Sequence, residues 1–246
     1  WNFDRIRILG VIPRLAICYG AAGITALTLK HKYIPHLIVG LLVGYFVLLL
    51  VGNGFAYDRT NILSIVDYKI LGEAHMYNDN GIEPEGILST IPAIAHVLIG
   101  FWVGKAMFER KEIHSKIEWL FIAGTILTFV GFLFSYACPI NKKIWSPSFV
   151  LVTCGLGSSF LALLIWIIDV KGKKKWSRFF EAFGINPLFM YVLATFLAII
   201  IRNTIIYPGG ERTSLRGFLY NDLLQPIFGN YPGSLAYGLL FVGSVW

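Results

Sequence analysis

Apolar blocks near the length that spans a bilayer recur along the whole chain, and no other feature constrains its fold as much. A helix rises about 1.5 Å per residue, so about 20 apolar residues cross the hydrocarbon core. The blocks are Ile8–Leu29 (interrupted by Pro13-Arg14), Ile34–Val51 (opened by Pro35-His36), Ile87–Phe108, Leu120–Ala137, Phe149–Ile168, Ala182–Ile201 and a short last run, Ser234–Trp246. Lipid offers no partner to backbone N–H and C=O groups, so each block must satisfy its own and is expected to be helical. The apolarity is continuous, unlike the ten-or-so-residue alternating strands of a membrane barrel. Charged residues are 14% of the chain and hydrophobic ones 56%, too few charges to coat a water-facing surface. The expected fold is therefore all-α: a polytopic transmembrane helical bundle forming a single domain over 1–246. Its helices are expected near 8–29, 34–51, 87–108, 120–137, 149–168, 182–201 and 234–246, with polar extracytoplasmic stretches at 52–86 and 202–233. Gly40 with Gly44, and Gly100 with Gly104, have the four-residue spacing that lets helix backbones approach, and are read as a packing face. The chain opens at Trp1 and its last apolar run is 13 residues long, too short to span, so further residues are expected at both ends.

A net charge of +7 raises the question of nucleic acid. The basic residues, however, lie in short loops between apolar blocks, where they act as topology signals. Taking the end that holds Trp1 as side A, the opposite side B carries 11 of the 21 Lys and Arg residues, from Lys30 to the Lys171–Arg178 loop. Side A has the acidic stretch with Asp58, Asp67, Glu73, Asp79, Glu83 and Glu85. Side B is thus expected to be cytoplasmic, with 52–86 on the periplasmic or lumenal side.

An ionisable residue inside a membrane block is costly and marks a candidate site. Arg14 lies about two turns into the first block, after Pro13. It reads either as an anion site for a ligand phosphate or carboxylate, or as an arginine that snorkels or pairs with a buried carboxylate. His96, mid-block, reads as a neutral imidazole bonded to a neighbouring helix. On side A, His75, Tyr77, Glu83 and Glu85 gather an imidazole, a phenol and two carboxylates before a helix start, a set suited to a hydroxyl- or amine-bearing substrate. Carboxylates are also stabilised there by the helix dipole alone. Asn141 and Trp145 belong to a basic, Trp-anchored loop on the same side, and Asn186-Pro187 breaks the start of the sixth block as helices lining ligand cavities do. Cys18, Cys138 and Cys154 form neither a CxxC pair nor a His/Cys cluster, so no metal site or disulfide framework is expected.

Five segments resemble one family. Arg7-Ile8-Leu9-Gly10-Val11-Ile12-Pro13-Arg14-Leu15, Lys69-Ile70-Leu71-Gly72 with His75-Met76-Tyr77, Glu83–Pro92, Asn141–Ser146 and Gly184–Leu188 are similar, in order, to motifs of the heparan-α-glucosaminide N-acetyltransferase family and its bacterial NagX-like members. Pro13 stands where the family pattern has Gln, and Glu83 where it has Asp. The resemblance implies an inner-membrane acyltransferase moving acetyl from acetyl-CoA to a terminal glucosamine-type amine. It implies acetyl-CoA as co-substrate, with Arg14 and Asn186 as candidates to hold it and His75, Tyr77, Glu83, Glu85, Asn141 and Trp145 as candidates for the sugar. The family's reactive histidine lies upstream of the first motif, so no catalytic residue is expected within this chain, which alone is expected to be inactive. Expected partners are membrane lipid, the amino sugar and N-terminal helices of the same protein, with a homodimer left open. A transporter or flippase of a polar metabolite, and a helical scaffold, are the other readings of the same helices.

Overall fold

A computed structural model describes residues 5–77, 80–208 and 212–245; Asp79 of the acidic stretch lies outside them. The chain divides into two compact units, Trp1–Lys171 and Gly172–Trp246.

The first unit is built on helices α1 (Val11–Thr28), α2 (Ile34–Val51), α3 (Ile62–Leu71), α4 (Thr90–Glu109), α5 (Ile113–Phe134) and α6 (Pro147–Ile165). All but α3 are long and apolar enough to cross a membrane. The short α3 falls within what the sequence reads as a polar stretch. Its first turn is nucleated by Asn61, whose side chain accepts from Leu63 N at 2.9 Å. α4 begins three residues later than expected because residues 83–91 close successive turns, with Gly86 N donating to Glu83 O and Thr90 N to Ile87 O. α5 begins seven residues earlier than expected. His114 and Glu118 face outward while Ile117 and Leu120 are buried, so this end is amphipathic and lacks the continuous apolarity by which the block was recognised. α6 starts on Ser146, whose hydroxyl accepts from Phe149 N at 3.3 Å, with Pro147 in the first turn. The core joins Ala22 of α1, Ile38 and Leu42 of α2, Leu98 and Ile99 of α4, Leu120 of α5 and Val150 of α6.

The expected packing pairs are not where backbones meet. A Cβ added at Gly40, Gly44, Gly100 or Gly104 finds nothing within 4 Å. The close approach is instead between α5 and α6, through Gly124, Gly131 and Gly155. Four-residue spacing identifies small residues on one helix face but not which face meets a neighbour. The loops sort as the sidedness count groups them. Tyr45 Oη donates to Ile144 O at 2.6 Å and Lys143 Nζ to Tyr57 Oη at 2.7 Å, joining 52–86 and the 141–146 loop at one end. His31, Lys32 and Lys105 surround a cavity at the other.

The second unit holds α7 (Ser177–Ile185) and α8 (Pro187–Asn203), bent by 90° at Asn186. The sixth block is therefore two helices rather than one over 182–201. A residue before proline is pushed out of the helical region, and Asn186 sits at φ −141°, ψ 73° with its side chain capping Phe189 N at 3.1 Å. A two-residue antiparallel ladder pairs Ile205 with Ser214 and Ile206 with Thr213. A helical run over 215–228 follows, and then the last helix, Asn230–Val245. At 16 residues that helix starts four residues before the expected run, and it remains short of a full span.

Candidate functional site

Three sequence-distant pieces meet at the end of the first unit where α1 begins: Arg7, the 72–90 loop and the 141–146 loop. The loop over 72–90 is hung from α3. Ser64 Oγ donates to Gly81 O at 2.6 Å, and Asp67 Oδ1 accepts from Ile87 N at 2.9 Å. Gly86 leaves room for the Asp67 carboxylate, which a Cβ there would strike.

Glu83 is buried and serves as the loop's anchor. It accepts from Arg7 through both carboxylate oxygens, from Tyr77 N at 2.6 Å and from Glu85 N at 3.2 Å. Arg7 also pairs with Glu85, and its guanidinium lies 5.1 Å from the centre of the Tyr77 ring. The carboxylates, Glu83 foremost, push the Arg7 guanidinium even higher than its ordinary value.

Arg14 is 5% exposed. The anionic partner expected for it is absent among the described residues. Its Nη1 donates to Pro84 O at 2.7 Å and its Nη2 to Ser89 O, and its guanidinium stacks 4.3 Å from the Trp145 ring centre. These bonds use two of its five N–H groups, one on each Nη. Trp145 itself is held with φ +51°, a left-handed conformation that costs ~1–2 kcal/mol in a bulky residue. The turn that imposes it is closed by Asn141, whose side chain accepts from Lys143 N at 2.8 Å and whose backbone N donates to Ser146 Oγ at 2.9 Å.

Two adjoining cavities result. An outer one of about 570 Å³ is lined by Arg7, Tyr77, Glu85, Lys142 and Trp145 among others. An inner one of about 330 Å³ shares Glu85, Lys142 and Trp145 and adds Arg14, Cys18 and His96. Of the residues singled out in the sequence, Tyr77, Glu85, Trp145 and Arg14 line these cavities, while Glu83 and Asn141 support them. His75 does not line them: it is half-buried, its Nδ1 2.8 Å from Ile6 O. Asn186 lies in the second unit as a helix cap. His96 does not make the expected bond to a neighbouring helix. Its Nδ1 is buried without a partner, and its ring lies 6.0 Å from Trp145 and 6.5 Å from Phe149. Arg7, Lys142 and Asp67 were not singled out. Arg7 and Lys142 stand inside segments that carry the family resemblance, so those segments held the signal.

No family model matches the chain. Mouse and human heparan-alpha-glucosaminide N-acetyltransferase are each 31% identical to it over an alignment of 149 residues. The alignment takes in 52% of this chain and 22% of each relative. With that identity added to its five motifs and its membrane-spanning helices, the chain is related to the heparan-alpha-glucosaminide N-acetyltransferase family over about half of its own length and about a fifth of the relatives'.

Proposed function

We propose that this chain forms the acceptor side of a membrane acyltransferase that moves acetyl from acetyl-CoA to the amine of a glucosamine-type sugar. The observation that carries the reading is convergence. Segments around residues 7–15, 77–85 and 142–145, which each resemble a motif of the related enzymes, close around one pair of cavities. In the outer cavity the Glu85 carboxylate is the group to hold a sugar ammonium, the Tyr77 hydroxyl and Lys142 offer hydrogen bonds to ring hydroxyls, and Trp145 supplies an apolar wall. Arg7 fixes Glu85 and keeps its charge compensated until the ammonium arrives. In the transfer, the ammonium first loses one proton to water, the neutral amine nitrogen forms the new C–N bond as the C–S bond of acetyl-CoA breaks, and the second nitrogen proton ends on the departing thiolate. The residues at the two cavities bind and orient the acceptor. Arg14 lines the inner cavity together with Glu85, Lys142 and Trp145, so we place it with the acceptor site. The basic loops of side B face the cytoplasm of a bacterial cell, and the cavities open to the periplasm.

The test is acetyl transfer by the full-length protein in proteoliposomes, with radiolabelled acetyl-CoA and glucosamine. Label should pass to glucosamine and not to glucose. Glu85→Gln should lower kcat/KM about tenfold or more, the loss of one charge-assisted hydrogen bond, while thermal stability changes little. Equal labelling without glucosamine, or an unchanged kcat/KM in Glu85→Gln, refutes the assignment. Sidedness is read separately, in a cysteine-free background. A cysteine at Asp58 should react with an impermeant reagent in intact cells and one at Lys111 should not.

A further inference from the structure

The second unit carries two joined cavities of opposite character. One of about 520 Å³ has a polar wall that includes Ser214, Tyr220, Asn221 and Ser234. The other, of about 360 Å³, is bounded by Ala198 and Ile199 of α8 and Phe241 of the last helix, with Arg202 at its edge. Arg216 and Tyr237 line both and so mark their junction. The fold brings the two arginines together. Arg202 stands in the last turn of α8, and Leu215 N, next to Arg216, donates to Thr204 O at 2.8 Å. Both are exposed, and neither has a hydrogen bond, ion pair or stacked ring among the described residues. Like charges on one cavity repel, so this pair is a place for an anion and not a folding contact. The polar wall is shaped in advance. Phe218–Leu224 is wound as a π-helix, with Gln225 N donating to Tyr220 O, a widening that is rare and recurs at functional sites. Tyr220 Oη donates to Asn230 O at 3.1 Å and fastens this segment to the last helix.

We infer that these cavities hold one anionic phospholipid, with its phosphodiester between Arg202 and Arg216, a hydroxyl-bearing headgroup in the polar cavity and an acyl chain along the apolar one. Guanidinium forks match the oxygens of a phosphate. A fatty acid leaves the polar cavity unfilled, and a soluble phosphate leaves the apolar one open. A choline or ethanolamine headgroup brings a cation to a wall that has no carboxylate among its described residues. The setting agrees. α7 and α8 together are long and apolar enough for a bent membrane span, which sets Arg202, at the end of α8, at the level where headgroups meet basic and aromatic side chains. None of these residues lines the acceptor cavities, and the lipid takes no part in acetyl transfer.

Native mass spectrometry of the full-length protein, released from detergent micelles and titrated with lipid, tests it. Phosphatidylglycerol should bind about tenfold or more tightly than phosphatidylcholine with the same chains. The double variant Arg202→Gln with Arg216→Gln should remove that preference, while Lys111→Gln, an exposed cation of the first unit, should leave it intact. Glycerophosphoglycerol, the headgroup without its chains, should bind at least tenfold more weakly than the lipid. Should the double variant fail to fold, Ala198→Phe reads the site through the chain, since its ring fills the apolar cavity and should weaken phosphatidylglycerol binding several-fold. Phosphatidylcholine binding as tightly as phosphatidylglycerol overturns the inference, as does a preference that survives the arginine variant or falls equally in Lys111→Gln. Glycerophosphoglycerol binding as tightly as the lipid makes the ligand a soluble phosphodiester and overturns it too.

Discussion

Where α5 meets α6, the two backbones touch. A Cβ at Gly155 would lie 2.5 Å from Thr128 N and 2.7 Å from Gly124 O, and one at Gly131 would lie 2.8 Å from Val152 N. The hydroxyls of this pair turn inward on their own helices: Thr128 donates to Gly124 O at 2.8 Å and Ser158 to Cys154 O at 2.8 Å. Where α1 leans on α4, the outcome is the reverse. Gly100 and Gly104 touch nothing, and Arg14 and His96 each keep a buried polar atom without a partner. Both pairs are apolar helices of similar length, so composition does not separate them. Satisfied polar groups and shared backbone surface make the first a rigid support. Unpartnered polar atoms and open volume distinguish the second, the region proposed above to hold the acceptor.

The sharpest way to break this comparison is to put the same kind of bulk into each region. Gly155→Val drives two methyls and a Cβ into backbone on the facing helix. Overpacking costs ~1–3 kcal/mol where side chains can yield, and here the listening atoms are main chain, so the expected result is loss of ~3 kcal/mol or failure to recover folded protein. Thermal unfolding in detergent, followed by tryptophan fluorescence, reads it. A Gly155→Val protein that melts with the parent would mean that the helices are not in close contact.

At the mouth, the largest stability effect should come from Arg7→Ala. It leaves Glu83, fully buried, with only the backbone donors of Tyr77 and Glu85. Breaking a fully buried pair costs ~3–5 kcal/mol; the Arg7 side chain is 33% exposed, which reduces the expected loss to ~2 kcal/mol. Arg7→Ala with Glu83→Gln should recover part of this, because the uncompensated charge is gone. Failure of the double variant to recover would remove Glu83 as the anchor of the loop.

Helices of this length and apolarity were legible from hydropathy alone, because lipid leaves a spanning segment no other way to satisfy its backbone. Their ends were less so. The start of α5 is hidden by His114, Lys116 and Glu118 on its outer face, and α3 by its position in a polar stretch. At the site, sequence alone could single out Arg14, Tyr77, Glu85 and Trp145 as polar or interfacial residues at block ends. It could not pair Arg7 with Glu83 across 76 positions, nor foresee that Arg14 would be held by two carbonyls and an indole in place of a carboxylate. Those facts depend on how loops fold back over helix ends, which local periodicity does not encode.

A pH-dependent effect comes from Asp67 in α3. Burial pushes the Asp67 carboxyl up to about 6, with the Glu83 charge adding to it against the Ile87 N–H. The unfolded value is about 3.9, so the native state holds this proton more firmly. The resulting stabilisation is fully present below about pH 4 and is lost as pH rises through about 6. Asp67→Asn keeps the acceptor for Ile87 N and removes the titration. The parent should therefore lose ~2 kcal/mol relative to the variant between pH 4 and pH 7. Parallel stability curves for the two proteins would show that Asp67 does not titrate in this window.

The smallest effect tests the side of the comparison that has open space. Gly100 lies in α4 with nothing within 4 Å of where a Cβ would be, so Ala there meets no atom of this chain. Alanine is also the better helix former, by up to ~1 kcal/mol in aqueous hosts, while glycine's extra backbone freedom is lost on folding. Gly100→Ala should accordingly leave the melting temperature unchanged or raise it by a degree or two, against the collapse expected of Gly155→Val. Val adds three carbons where Ala adds one, so Gly155→Ala is the matched control: a single Cβ there already lies within 2.5 Å of Thr128 N, and its contrast with Gly100→Ala isolates backbone contact as the cause. If Gly100→Ala instead lowers stability in lipid nanodiscs, a second backbone approaches α4 on this face, and the spacing of Gly100 and Gly104 marks a helix-packing surface after all.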